Sequence, residues 1–131
     1  YCGVGLFAGA LADRGVRVHG VESGRQAIEH ARHNVPEARF TVGRVERVLA
    51  QLPRQTDLVV LDPPRAGAGR GVLEQIVRRR PRAVAYVACD PAALGRDLGH
   101  MVELGWRVRS VRAFDLFPQT HHVECVAILV P

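Results

Sequence analysis

Between Ala83 and Ala88 the chain runs Ala-Val-Ala-Tyr-Val-Ala, then breaks at Cys89, Asp90 and Pro91. An apolar run this short reads as a buried strand, and Asp followed by Pro reads as a helix start. The aspartate side chain accepts from free first-turn amides, and proline has no N–H to leave unpaired at the first helical position. Cys89 therefore falls just outside a helix N-terminus, beside unpaired amides and the positive end of the helix dipole. That setting favours a thiolate. A strand that turns at once into a helix commits its neighbours to strand and helix alternation.

The rest of the chain follows that alternation. Helix is expected over Leu6 to Asp13 and strand over Arg17 to Glu22. Ser23 and Gln26 then form a capping-box pair opening a helix with Ala27, Ile28, Ala31 and Val35 on one face. Arg39 to Val42 reads as a strand, Val45 to Leu52 as a short helix, and Asp57 to Leu61 as a central parallel strand, because the run is continuously apolar. Asp62, Pro63, Pro64 and Arg65 make a rigid loop, extended by a glycine-rich stretch through Gly71. Val72, Leu73, Ile76 and Val77 mark a helix that closes on Arg78, Arg79 and Arg80 before Pro81. The helix from Pro91 carries Leu94, Leu98, Met101 and Val102 in register and stops at Gly105. Trp106 to Phe114 and His122 to Val130 are the last two strands. No repeat, linker or low-complexity segment interrupts the pattern, so one α/β domain with a mostly parallel sheet is expected over residues 1–131. Tyr1 to Gly5 reads as the loop after a strand, so the expected domain is N-terminally truncated, its first strand missing.

With 47% hydrophobic and 24% charged residues, a packed core is expected and disorder is not. The sequence shows no membrane span and no signal peptide. Its three cysteines, Cys2, Cys89 and Cys125, lack disulfide or zinc spacing, which fits reduced thiols in the cytoplasm. A net charge of +5 and a pI near 10.0 suit a polyanion partner such as nucleic acid, and equally suit an ordinary solvated surface. His121 and His122 stand close to Glu124 and Cys125. Adjacent side chains on an extended segment point to opposite faces, so no metal site is expected there.

Gly3, Gly5 and Ala8 satisfy G-x-G-x-x-[GA]. Glu22 follows at about the 20-residue spacing at which an acid holds a ribose hydroxyl pair. The pattern points to an adenosine cofactor and leaves open whether that is a nicotinamide dinucleotide or S-adenosylmethionine. Ligands in doubly wound sheets collect at the carboxyl ends of strands, where Tyr1, Glu22, Asp62 and Cys89 are all expected.

Several motifs occur together: Tyr-Cys-Gly-Val-Gly at 1–5, Val-Glu at 21–22, Asp-Pro-Pro-Arg at 62–65, Cys-Asp-Pro-Ala at 89–92 and Phe-Pro-Gln-Thr-His-His-Val-Glu at 117–124. In this ordered set the chain resembles the S-adenosylmethionine-dependent RNA 5-methyluridine methyltransferase family over essentially its whole length. The resemblance implies a Rossmann-like class I methyltransferase fold with helices on both faces of the sheet. It also implies methyl transfer from S-adenosylmethionine to carbon-5 of a uridine in tRNA or rRNA. It assigns Cys89 as nucleophile and Glu124 as general base, with cofactor contacts at Tyr1, Leu6, Glu22 and Asp62 beside the Gly3 and Gly5 loop. Leu6 stands where many members carry a polar residue, and Arg44 where an amide or acid often meets the adenine.

The chemistry explains these residue types. Carbon-5 of uracil is a poor nucleophile until a thiolate adds to carbon-6, and the carbon-5 proton must then leave before the cysteine can. Two other readings compete: a non-catalytic S-adenosylmethionine- or RNA-binding module, and a nicotinamide-dependent oxidoreductase, which gives Cys89 and Glu124 no joint task. An amino-group methyltransferase is disfavoured, because Arg65 follows Asp-Pro-Pro where those enzymes usually show an aromatic residue.

Overall fold

A computed structural model describes residues 1–52, 55–116, 118–120 and 123–131, in two compact units, residues 1–52 and 53–131. His121 and His122, where no metal site is expected, lie outside the described residues. Among the described residues there is no metal-like cluster of histidine, cysteine and carboxylate side chains, and no helix is long and apolar enough to cross a membrane.

The first unit contains α1 (Leu6–Ala12), β1 (His19–Glu22), α2 (Arg25–Asn34), β2 (Arg39–Val42), α3 (Val45–Val48) and a following 3-10 turn at Leu49–Gln51. β1 and β2 pair in parallel, from His19↔Arg39 to Glu22↔Val42. Tyr1 and Cys2 lead in, and the Cys2 N–H donates to the Val21 carbonyl at 3.1 Å. Ile28 and Ala31 of α2 are fully buried with Val35, Phe40 and Ala8 in one cluster, against which Cys2 packs. A side chain such as Ile28 contributes about 1.5–3 kcal/mol on full burial. This core therefore depends on the α2 stripe expected from periodicity.

The expected capping box does not form. α2 starts at Arg25 with Gly24 as its cap and no side-chain cap. The Glu22 carboxylate intervenes, accepting the Ser23 amide at 2.7 Å, the Ser23 hydroxyl at 3.0 Å and the Gly24 amide at 3.0 Å. The Ser23 amide that a Gln26 side chain would have bonded is thus taken by an ionised acceptor, and the Ser23 hydroxyl donates to the same carboxylate.

The second unit contains β3 (Leu58–Leu61), α4 (Arg70–Val77), β4 (Ala83–Ala88), α5 (Pro91–Glu103), β5 (Arg107–Phe114) and β6 (Glu124–Val130). The strand order is β3-β4-β6-β5. β3 and β4 are parallel, whereas β6 is antiparallel to both β4 and β5. β3 thus lies at the edge of this sheet, and its Leu58 is exposed. Val72, Leu73 and Ile76 of α4, Val84 and Tyr86 of β4, Met101 of α5, and Ala127 and Leu129 of β6 are buried.

The strand-to-helix junction forms as the local signals require. Asp90 is the N-cap of α5, its carboxylate accepts the Ala93 amide at 2.7 Å, and Pro91 opens the helix. The apolar face of α5 differs from the expected one. Val102 is 54% exposed, while Ala93, Leu94, Asp97 and Met101 turn inward. A buried carboxyl on an otherwise apolar stripe is the one irregularity of this helix.

Candidate functional site

In the first unit, the carboxyl end of β1 gathers the glycine loop and its acid. Gly5 caps α1 with φ +93°, a left-handed conformation, and a Cβ there would press on Val35 at 3.3 Å. Both facts demand glycine. Asn34 donates to the Val4 carbonyl at 3.0 Å, and the Gly3 amide reaches Glu22 Oε2 at 3.3 Å, so the loop is tied to α2 and to β1. A small pocket opens beside it, lined by Tyr1, Ser23, Arg44, Val45 and Glu46. Arg44 Nε stands 3.7 Å from Glu46 Oε2 in an exposed ion pair, so the arginine is partly neutralised within the pocket wall. Leu6 is 76% exposed on the first turn of α1.

Partial burial raises the Glu22 pKa, but hydrogen bonds from the Gly24 amide, the Ser23 hydroxyl and the Gly3 and Ser23 amides outweigh it. The net effect holds the carboxyl below its ordinary range. A depressed acid adds stability above its unfolded-state pKa and loses it as pH falls through the folded-state value. Urea denaturation should therefore find wild type more stable than Glu22→Gln at neutral pH. The gap should close as pH drops through the acidic range, and a constant gap at every pH would contradict this account.

In the second unit, β3, β4 and β6 bring three sequence-nominated groups to one end of the sheet. The β4–β6 ladder runs from Val84↔Leu129 to Ala88↔Cys125, and Cys89 and Glu124 are the residues that adjoin this last pair, one on each chain segment. Both residues are half-buried. Asp62 follows β3 directly, and its carboxylate acts on Glu124 through space. Burial first, and then this like charge, raise the Glu124 pKa, while partial desolvation raises that of Asp62. A carboxylate whose basicity is raised is a better proton acceptor.

The other thiols are placed differently. Cys125 is buried within β6, and Cys2 packs on the core of the first unit, where burial pushes its thiol pKa up. On the other side of Glu124, Phe114 of β5 is its ladder partner, and the Arg112 guanidinium lies 5.3 Å from the Phe114 ring centre. Sequence reasoning singled out neither Phe114 nor Asp97. The signal for Asp97 was its place three residues after Leu94 and four before Met101, a charged group on the apolar stripe.

Known proteins match the chain along its length. An RNA methyltransferase of Streptomyces avermitilis, described as uncharacterized, is 61% identical over 140 residues, covering 100% of this chain and 32% of that protein. The crystal structure of Pyrococcus abyssi tRNA (uracil-54, C5)-methyltransferase, in complex with S-adenosyl-L-homocysteine, superposes with a TM-score of 0.87 at 38% identity. It covers 99% of this chain and 33% of that one. A TehB-like SAM-dependent methyltransferase from Corynebacterium glutamicum, 22% identical, shares the fold at a TM-score of 0.72 over 98% of this chain and 76% of its own. The α/β alternation is thus that of the Rossmann-like methyltransferases. The chain spans about a third of the length of the curated relatives it matches. The tRNA (Uracil-5-)-methyltransferase family matches residues 50–130, more than half of the sequence and all of the segment that carries Asp62, Cys89 and Glu124, and the chain belongs to that family.

Proposed function

We propose that the chain belongs to the catalytic part of an enzyme that methylates carbon-5 of a uridine in tRNA or rRNA from S-adenosylmethionine, with Cys89 as nucleophile and Glu124 as base. The observation that supports this reading is the end of the β4–β6 ladder at Ala88↔Cys125, adjoined on one segment by Cys89 at a helix N-terminus and on the other by Glu124, a carboxylate of raised basicity. That is the pair of groups an addition and elimination cycle needs.

The chain's residues suit the cofactor. Tyr1 and Val45 would flank an adenine, and Ser23, Arg44 and Glu46 supply polar groups around it. Glu22 Oε2 accepts a single long hydrogen bond among the described residues, from Gly3, and so retains capacity for a ribose hydroxyl. Gly3 and Gly5 keep the loop backbone open to approach, and the family resemblance adds Leu6 and Asp62 as further cofactor contacts. When bound, S-adenosylmethionine supplies an electrophilic methyl group. Cys89 adds to carbon-6 of the uracil, which makes carbon-5 nucleophilic. After methylation Glu124 takes the carbon-5 proton, and the electrons left behind expel the Cys89 thiolate. The base must leave its stack for this, most easily from a single-stranded loop of RNA, with arginines on the phosphates.

The test uses the native full-length protein, S-adenosylmethionine and RNA containing 5-fluorouridine. Fluorine cannot be removed as a proton, so the cycle stops after methyl transfer. A denaturation-resistant protein–RNA complex linked through Cys89 is the expected result, and its absence under conditions where cofactor binds would leave the binding-module reading in its place.

A further inference from the structure

We propose that Asp97 is a positioning residue for the thiol site: through one buried carboxyl oxygen it clamps the loop that follows Asp62 onto the strand and helix that carry Cys89. The inference rests on the reading of Cys89 as nucleophile.

Asp97 is 4% exposed. Its Oδ2 accepts the Ala68 amide at 2.7 Å, the Gly69 amide at 3.3 Å and the Tyr86 hydroxyl at 2.5 Å. The Ala68 amide also lies 3.0 Å from the Tyr86 hydroxyl, which closes the network. Each partner belongs to a different part of the site. Ala68 and Gly69 end the loop that begins at Asp62 and leads into α4. Tyr86, fully buried on β4, stands three residues before Cys89 and is the ladder partner of Leu61, the residue before Asp62. Asp97 itself sits on α5, the helix whose cap adjoins Cys89, about two turns further on. From the same helix, Arg96 reaches the Ala66 carbonyl at 3.5 Å. One helix thus holds the thiol junction at its start and the proline loop by its middle.

The fit is close. Gly67 has φ +88°, and a Cβ there would come within 2.7 Å of Asp97 Oδ2, so the loop backbone has no room for a side chain against the carboxyl. A buried acid is costly to desolvate and is tolerated only where donors meet it. An apolar residue at position 97 would suit the stripe of α5 equally well but could not accept backbone amides. The requirement met here is therefore the placement of Ala68 and Gly69, and through them of Asp62 to Arg65.

The test compares wild type, Asp97→Asn, Asp97→Ala and Tyr86→Phe as full-length proteins. It measures the rate of adduct formation on 5-fluorouridine RNA in a single turnover, S-adenosylhomocysteine affinity, and amide hydrogen exchange at Ala68 and Gly69. Asp97→Ala should slow adduct formation by roughly 10- to 100-fold, the cost of about 1 Å of misplacement. S-adenosylhomocysteine affinity should fall by less than the adduct rate, because Asp62 is one cofactor contact among several, and Ala68 and Gly69 should lose protection. Asp97→Asn should recover most of the rate, because its carbonyl oxygen can accept the same amide. If Asp97→Ala does not fold, Asp97→Asn and Tyr86→Phe carry the comparison, with Tyr86→Phe slower than wild type. Adduct formation at the wild-type rate in variants whose Ala68 and Gly69 exchange freely would overturn the clamp alone. Failure of wild type itself to form an adduct would instead overturn the nucleophile reading on which the clamp depends.

Discussion

Replacing Cys89 by alanine is expected to lower methyl transfer by on the order of 10^4-fold or more, because removing a nucleophile from a covalent cycle leaves only binding and positioning. Trapping on 5-fluorouridine RNA should disappear with it. The geometry makes the prediction specific to one thiol. Cys125 pairs with Ala88 at the end of β4 but is buried, and Cys2 packs on the core of the first unit, so Cys89 is the half-buried thiol that adjoins the cap of α5. Their alanine variants should cost stability and still form the adduct. Retention of the adduct in Cys89→Ala, read by mass spectrometry of the crosslinked peptide, would remove the cysteine from the mechanism.

The second large effect concerns the other half of the cycle. Glu124→Gln keeps the volume and a hydrogen-bonding group but cannot take a proton, so turnover should fall by about 10^2- to 10^4-fold. Unlike Cys89→Ala, this variant should still add to ordinary uridine and transfer the methyl group. It should then stall, and a covalent complex should build up on unmodified RNA, visible on a denaturing gel. A variant that is slow yet never accumulates adduct would mean that Glu124 acts before the addition. Burial and the nearby Asp62 carboxylate both raise the basicity of Glu124, so on the proposed mechanism Asp62 would assist proton removal electrostatically.

The junction at Cys89, Asp90 and Pro91 was legible because everything it needs lies within a few residues. The cap bond spans Asp90 to Ala93, and the proline sits where no amide is required. Local hydrogen bonds of this kind depend little on the rest of the fold, and an N-cap is worth about 1 kcal/mol wherever it forms. The same locality misled at Ser23. A capping box was written in the residues, but Glu22, one residue earlier, presents a carboxylate that takes both the Ser23 amide and the Ser23 hydroxyl. The inward stripe of α5 was shifted for a different reason. Asp97 turns in because donors from the loop and from Tyr86 await it, and periodicity carries no information about such partners.

What the sequence determined by itself is the alternation of strands and helices, the glycine-dependent turn at Gly5 and the capped start of α5, each governed by bonds and steric limits within one or two turns of chain. The tertiary structure alone decided that Glu124 and Cys89 adjoin the same end of the β4–β6 ladder, that Asp62 acts on that carboxylate, and that Asp97 accepts the Ala68 and Gly69 amides. Those relations follow from the register of a β-ladder and from a buried hydrogen-bond network, where residues far apart in the chain meet because the packed core admits one alignment of the strands.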